Sequence, residues 1–229
     1  MIAFLDLDGT LIDSSERHHV LMESLVSSRC AYIRQGGSVC GTLPGKPFDA
    51  KEYMEFKASG KSGKLYLKDV LGFDDASAQM IQKAWIAQIE TKELTDTDRL
   101  YPDALPFLEN LKVNGYHTVY LTARRERELL EDELERLDIR RYADELAIAD
   151  PFRAFDEKLA LAERILKEHP GEEALIVGDS ENEYDIALTL GIRSYILNRG
   201  SRNRVFWDEK GVGSHDGLPR GIKENGDVL

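Results

Sequence analysis

Cysteine is nearly absent: Cys30 and Cys40 are the only two in 229 residues. So small a supply excludes a fold stapled by disulfides and reads as reduced thiols of a cytosolic protein. Long hydrophobic runs are missing too. No stretch approaches the roughly 18 apolar residues of a membrane-spanning helix. The first residues carry no basic stretch and reach an acid at Asp6, which is unlike a secretory leader; a cytoplasmic location is the expectation. Positive charge is scarce, with 30 Lys and Arg against 42 Asp and Glu, a net charge of −12. That balance argues against nucleic acid or an anionic membrane as partner. It also means that an anionic substrate must be met by local cations or by a metal. Internal repeats and low-complexity blocks are absent as well.

What is present suffices for a core. The hydrophobic fraction is 42%, and the length suits one large domain or a core with a smaller second one. The run FLDLDGTLID, from Phe4 to Asp13, ends its apolar part in two acids two residues apart. Residues i and i+2 of a strand point to the same side, so Asp6 and Asp8 are expected to converge just past a strand end. Two carboxylates held close repel unless a cation sits between them or one keeps a proton.

Short apolar runs at 2–5, 116–121, 146–149, 174–177 and 193–197 read as buried strands. Amphipathic helical patterns lie between them, at 103–113, 124–137, 156–167 and 181–190. From residue 100 onward strand and helix alternate, which predicts an α/β fold built on a doubly wound parallel sheet. Ligands of such sheets bind beyond the carboxyl ends of the strands, where Asp6, Asp8, Thr122 and Asp179 all fall. Residues 14–98 break the alternation with helical patterns at 15–28, 50–57 and 75–92 around glycine-rich loops. That length is too great for a loop and reads as a mainly helical second domain. The expected division is therefore a core of 1–13 and 99–200, a helical cap of 14–98, and a C-terminal extension, 201–229, of uncertain order.

Four features share the expected sheet edge: DLDGT, the Leu-Thr of LTARR, Lys158 in FDEKLALAERIL, and GDSENEYD. Together and in this order they resemble the haloacid dehalogenase superfamily, in its phosphatase branch, over residues 1–13 and 100–198. The resemblance implies a Rossmann-like core and a catalytic set of Asp6, Asp8, Thr122 and Lys158. Asp6 matches the nucleophile that forms an aspartyl-phosphate, and Asp8 matches the general acid and base. Thr122 matches the hydroxyl that holds the transferring phosphoryl group, and Lys158 the cation that offsets its charge. Thr122, Ala123 and Lys158 are the implied substrate contacts; Arg124, just after them, reads either as a further contact to the phosphate or as a surface salt bridge. Asp6, the Asp8 main chain, Asp179 and Glu183 are the implied ligands of Mg²⁺, a hard ion that prefers oxygen. Glu183 and Asp185 both compete for the last position; they lie about 200° apart on a helix, and Glu183 has the fitting spacing. The acid at Asp8 separates this chain from the dehalogenases. The cap's position resembles phosphoglycolate phosphatases and β-phosphoglucomutases.

The implied activity is Mg²⁺-dependent hydrolysis of a small phosphorylated metabolite. A phosphomutase, a non-catalytic phosphate binder and a phospho-accepting receiver are the competing readings. Taken singly, Thr122 also reads as the N-cap of a helix starting at Arg124, and Lys158 as a solvated helix residue. GKSGK (Gly60–Lys64) lacks the glycine spacing of a P-loop and reads, like Gly36–Lys46, as a loop of the cap. RGSRNR (Arg199–Arg204) reads as a solvated basic segment.

Overall fold

The computed structural model describes residues 1–34 and 44–219. Cys40, most of the Gly36–Lys46 loop, and Gly221 and Gly226 lie outside the described residues. The chain divides into two compact units, Met1–Asp13 with Arg99–Leu229, and Ser14–Asp98.

In chain order the first unit opens with β1 (Ile2–Leu5) and a two-residue strand, β2 (Ile12–Asp13). The second unit follows, with α1 (Ser15–Arg34), α2 (Ala50–Ala58), the single turn α3 (Gly63–Leu65), α4 (Asp75–Gln88) and α5 (Lys92–Thr95). A π-helical turn, Tyr66–Val70, continues α3. The chain returns through β3 (Arg99–Leu100), then alternates α6 (Ala104–Val113), β4 (His117–Thr122), α7 (Arg127–Arg136), β5 (Glu145–Ile148), α8 (Ala154–Glu168), β6 (Ala174–Gly178), α9 (Glu181–Leu190), β7 (Arg193–Ile196) and α10 (Arg204–Glu209).

Five strands form one parallel sheet in the order β5-β4-β1-β6-β7. β1 lies in the middle, with Leu5 opposite Tyr120 on one side and Val177 on the other. Its residues are buried on both faces, as a central parallel strand requires. Ala3 and Leu5 join the core formed with α6 and α7, through Phe107, Leu111, Leu130 and Leu134. Ile2 and Phe4 join the opposite core, with Ala162 and Ile165 of α8 and Ile186 of α9. The sheet is thus doubly wound, and its three central carboxyl ends deliver Asp6, Thr122 and Asp179 side by side.

β2 and β3 pair antiparallel, Ile12 with Leu100 and Asp13 with Arg99. Two residues each are too few to show a pattern in the sequence. The second unit has its own core, built from Met22, Tyr53, Tyr66, Leu67, Leu71, Phe73 and Ile81. GKSGK is a helix start there: the Ser62 hydroxyl accepts from the Leu65 amide at 3.2 Å, and Lys61 lies over the Phe56 ring.

The stretch after residue 200 differs from an open tail. α10 is capped by Asn203, whose side chain accepts from the Phe206 amide at 2.9 Å, and it buries Trp207 against Ile196 and Val212. His215 forms a parallel bridge with Leu197, and Leu218 enters the main core. Burial of a few large side chains orders a segment whose composition alone reads as loop. No helix among the described residues is long and apolar enough to cross a membrane.

Candidate active site

Asp6 continues the alternation of Ile2 and Phe4, so it faces the side of the sheet covered by α8 and α9. Those helices carry its partners. The Lys158 ammonium donates to Asp6 Oδ1 and to Glu183 Oε1, at 2.7 Å each. Ser180 donates to the other Glu183 oxygen at 2.6 Å. Lys158 is 4% exposed, so it is no solvated helix residue: its stem crosses the apolar face of α8 to reach the strand end. Asp179 completes the group, and carboxylate oxygens of Asp6, Asp179 and Glu183 lie within 4.8 Å of one another.

The electrostatics follow from burial. Loss of water pushes the Asp6 carboxyl well above the ordinary carboxylate range; Lys158 draws it down, while Glu183 and Asp179 push it up again. Burial, then Glu183, pushes Asp179 up to about 6, against the donation from Ser201. Burial also works against the charge on Lys158, but Asp6 and Glu183 outweigh it and the net shift is upward. Three carboxylates and one ammonium, all ionised, leave a charge of −2. A divalent cation would neutralise it, and oxygen donors of this kind suit a hard ion such as Mg²⁺. The donor set and its charge fit that group.

Glycines allow this crowding. Gly9 turns the chain after Asp8 with φ +78°, and Gly200 lies against it. A Cβ on either residue would run into the Asp179 carboxylate. Gly200 also brings the next amide, Ser201 N–H, onto Asp179 Oδ2. The basic segment Arg199–Arg204 is therefore part of the site's edge. Arg199 donates to Asp103 and to the Thr10 carbonyl, at 2.6 Å each, and packs over the Tyr101 ring. Arg202 pairs with Glu181 at 2.8 Å.

The chain turns at Leu7, whose carbonyl accepts from the amides of Thr10, Leu11 and Ile12, and Asp6 and Asp8 meet separate cations. Arg124 grips Asp8 with a two-pronged fork, Nε to Oδ2 at 2.6 Å and Nη2 to Oδ1 at 2.8 Å. Thr122 ends β4 and is 2% exposed; the Ala149 amide donates to its carbonyl at 2.8 Å. It is not a helix cap, because α7 begins only at Arg127 with Glu126 in the cap position. Ala123 is half-buried between them. Asp185 is exposed on α9, while Glu183 is fully buried.

Sequence reasoning missed Ser201, Gly200 and one further acid, Glu133. Glu133 is 3% exposed and pairs with Arg124 Nη2 at 3.2 Å. Its signal was available. Leu130, Glu133, Leu134 and Leu137 follow helical spacing, so an acid occupies the apolar stripe of α7. Ser201 acts through its backbone amide and its hydroxyl, and a lone serine in a loop carries no such signature.

Comparison with known proteins fits this geometry. The family model described as haloacid dehalogenase-like hydrolase matches residues 1–191. A proposed phosphatase of Clostridium difficile superposes with a TM-score of 0.68 at 20% identity, covering 93% of this chain and 92% of that one. A proposed phosphoglycolate phosphatase of Haemophilus somnus gives 0.64 at 19% identity, over 91% and 90%. A proposed β-phosphoglucomutase of Thermotoga maritima gives 0.60 at 22% identity, over 93% of each chain. At these identities the likeness concerns the fold. Among curated proteins, none matches the chain.

Proposed function

The chain belongs to the haloacid dehalogenase-like hydrolase family, and on that premise we propose that it is a phosphatase. Its substrate is a small phosphate monoester, of the kind a phosphoglycolate phosphatase takes, and its covalent intermediate is an aspartyl-phosphate. The observation that carries this reading is the buried cluster of Asp6, Asp179 and Glu183 around Lys158.

In this reading Asp6 attacks phosphorus while the alkoxide leaves with a proton from Asp8. Water then attacks the aspartyl-phosphate and gives a proton to Asp8, which returns both acids to their starting states. Lys158 holds Asp6 in place and offsets charge on the transferring group, and Thr122 at the end of β4 and the Ala123 amide just after it face that group. Asp6, the Asp8 carbonyl, Asp179 and Glu183 would hold Mg²⁺, which supplies charge neutralisation for the equatorial phosphoryl oxygens. Ser201 keeps one Asp179 oxygen occupied and so fixes how the other is presented.

The test is inorganic phosphate release from a panel of small phosphate esters, with Mg²⁺ or with a chelator, and with Asp6→Asn as control. Metal-dependent release that Asp6→Asn abolishes is the expected result. Turnover that survives Asp6→Asn would rule out the covalent route. Isomerisation of a sugar phosphate without release would identify a mutase instead.

A further inference from the structure

Arg124 stands two residues after Thr122, where the sequence suggests a substrate contact. Its guanidinium is committed elsewhere. Nε and Nη2 both donate to Asp8, and Nη2 also faces Glu133 at 3.2 Å. Arg124 is 4% exposed and Glu133 3%. Among the described residues neither Glu133 oxygen has a hydrogen bond, so the ion pair with Arg124 is what answers its charge. A buried acid on the apolar stripe of a helix is costly unless a cation answers its charge. Here Glu133 faces the same Nη2 that donates to Asp8 Oδ1, the second prong of a planar fork that lysine lacks.

We infer that Glu133 and Arg124 are positioning residues for Asp8, and that Arg124 does not bind the substrate phosphoryl group. The inference rests on the phosphatase reading. Lys158 and any metal at the acid cluster attract a carboxylate. An Asp8 drawn into that cluster could serve neither the leaving oxygen nor the water. Arg124 holds it off to one side, and Glu133 keeps Arg124 from following. In the first step the Asp6–phosphorus bond forms, the bond from phosphorus to the ester oxygen breaks, and the Asp8 proton moves to that oxygen. In the second, the oxygen of water bonds to phosphorus, the aspartyl bond breaks and Asp8 takes the proton. Both steps need the Asp8 carboxyl in one place, and a leaving group that is stable as an anion needs it only in the second.

The experiment uses two probes, β-glycerophosphate and 2,4-dinitrophenyl phosphate, with the full chain and Mg²⁺. The variants are Arg124→Met, Arg124→Lys, Glu133→Gln and the pair Arg124→Met with Glu133→Leu, which removes both buried charges together and so guards against misfolding. With β-glycerophosphate, Arg124→Met and the paired variant should lose on the order of 10²-fold in kcat with KM changed less than about threefold, the loss typical of a misplaced acid-base group. Arg124→Lys and Glu133→Gln should fall between these and wild type. With 2,4-dinitrophenyl phosphate the rapid first burst, about one dinitrophenolate per molecule, should persist in every variant, because it reports aspartyl-phosphate formation alone. A rise in KM with kcat kept would make Arg124 a substrate contact and overturn the inference. So would a burst lost in step with β-glycerophosphate turnover, or variants that match wild type. A wild-type protein that releases nothing from either ester would instead take down the phosphatase reading, and this inference with it.

Discussion

Asp179 titrates near 6 because burial and Glu183 both penalise its charge, and this makes it a reporter of the cluster. In the unfolded chain its carboxyl returns to the ordinary range near 4. Between these values the folded state binds more protons than the unfolded one, so this group's contribution to stability falls as pH rises from about 4 to 6 and its cost is full above that. Calorimetry in chelator should therefore show the difference in Tm between wild type and Asp179→Asn falling across that window, and millimolar Mg²⁺ at pH 7 should reverse the fall. A difference that stays flat with pH would contradict the assignment. At this scale the acids and Lys158 were legible because their chemistry lies in their side chains. The Arg124 fork was not. Its partner Asp8 is far away in sequence, and nothing local says which way a guanidinium turns. Gly200 was equally silent, since a glycine required by a neighbour's carboxylate looks like any loop glycine.

The strands of the main sheet were readable because residues buried on both faces form unbroken apolar runs. Helices α6 to α9 were readable from their stripes. Elements of a few residues were not. β2 and β3 have two residues each, the π-helical turn has five, and α10 has six. α10 exists through tertiary packing, with Trp207 fully buried and its ring 5.2 Å from that of Phe206 and 6.2 Å from that of Tyr184. Trp207→Ala should cost about 3–5 kcal/mol in a urea titration. Trp207→Phe should cost less, because the indole N–H is buried without a hydrogen bond among the described residues. Losses that are small in both would mean that the ring's bulk contributes little and that the segment is held by its Asn203 cap and the His215 bridge.

Each of the two units has a hydrophobic core of its own, one above and below the parallel sheet and one among the helices of Ser14–Asp98. Separate cores permit separate opening. Leu67 is fully buried in the second, and Leu67→Ala should remove about 3–5 kcal/mol from it. By hydrogen exchange, amides of α1 and α4 should then lose protection by two or more orders of magnitude while those of β1, β4 and β6 keep theirs. Equal loss in both would show a single cooperative unit. The alternation that marks the first unit, and its interruption between 14 and 98, are features of the sequence itself. The internal packing of the second unit was not visible, since short helices joined by loops leave their pairing open.

The chain leaves the first unit and returns to it at paired residues, Asp13 opposite Arg99 and Ile12 opposite Leu100. The 85 intervening positions thus hang from a two-rung ladder whose free ends already sit one strand spacing apart. In the currency of descent this is a cassette. A shorter or longer insert, or a plain hairpin turn, can be spliced onto the same rungs with little added loop-closure entropy. Selection can then rewrite the insert while the unit that carries Asp6, Asp8, Lys158 and Asp179 is inherited unchanged.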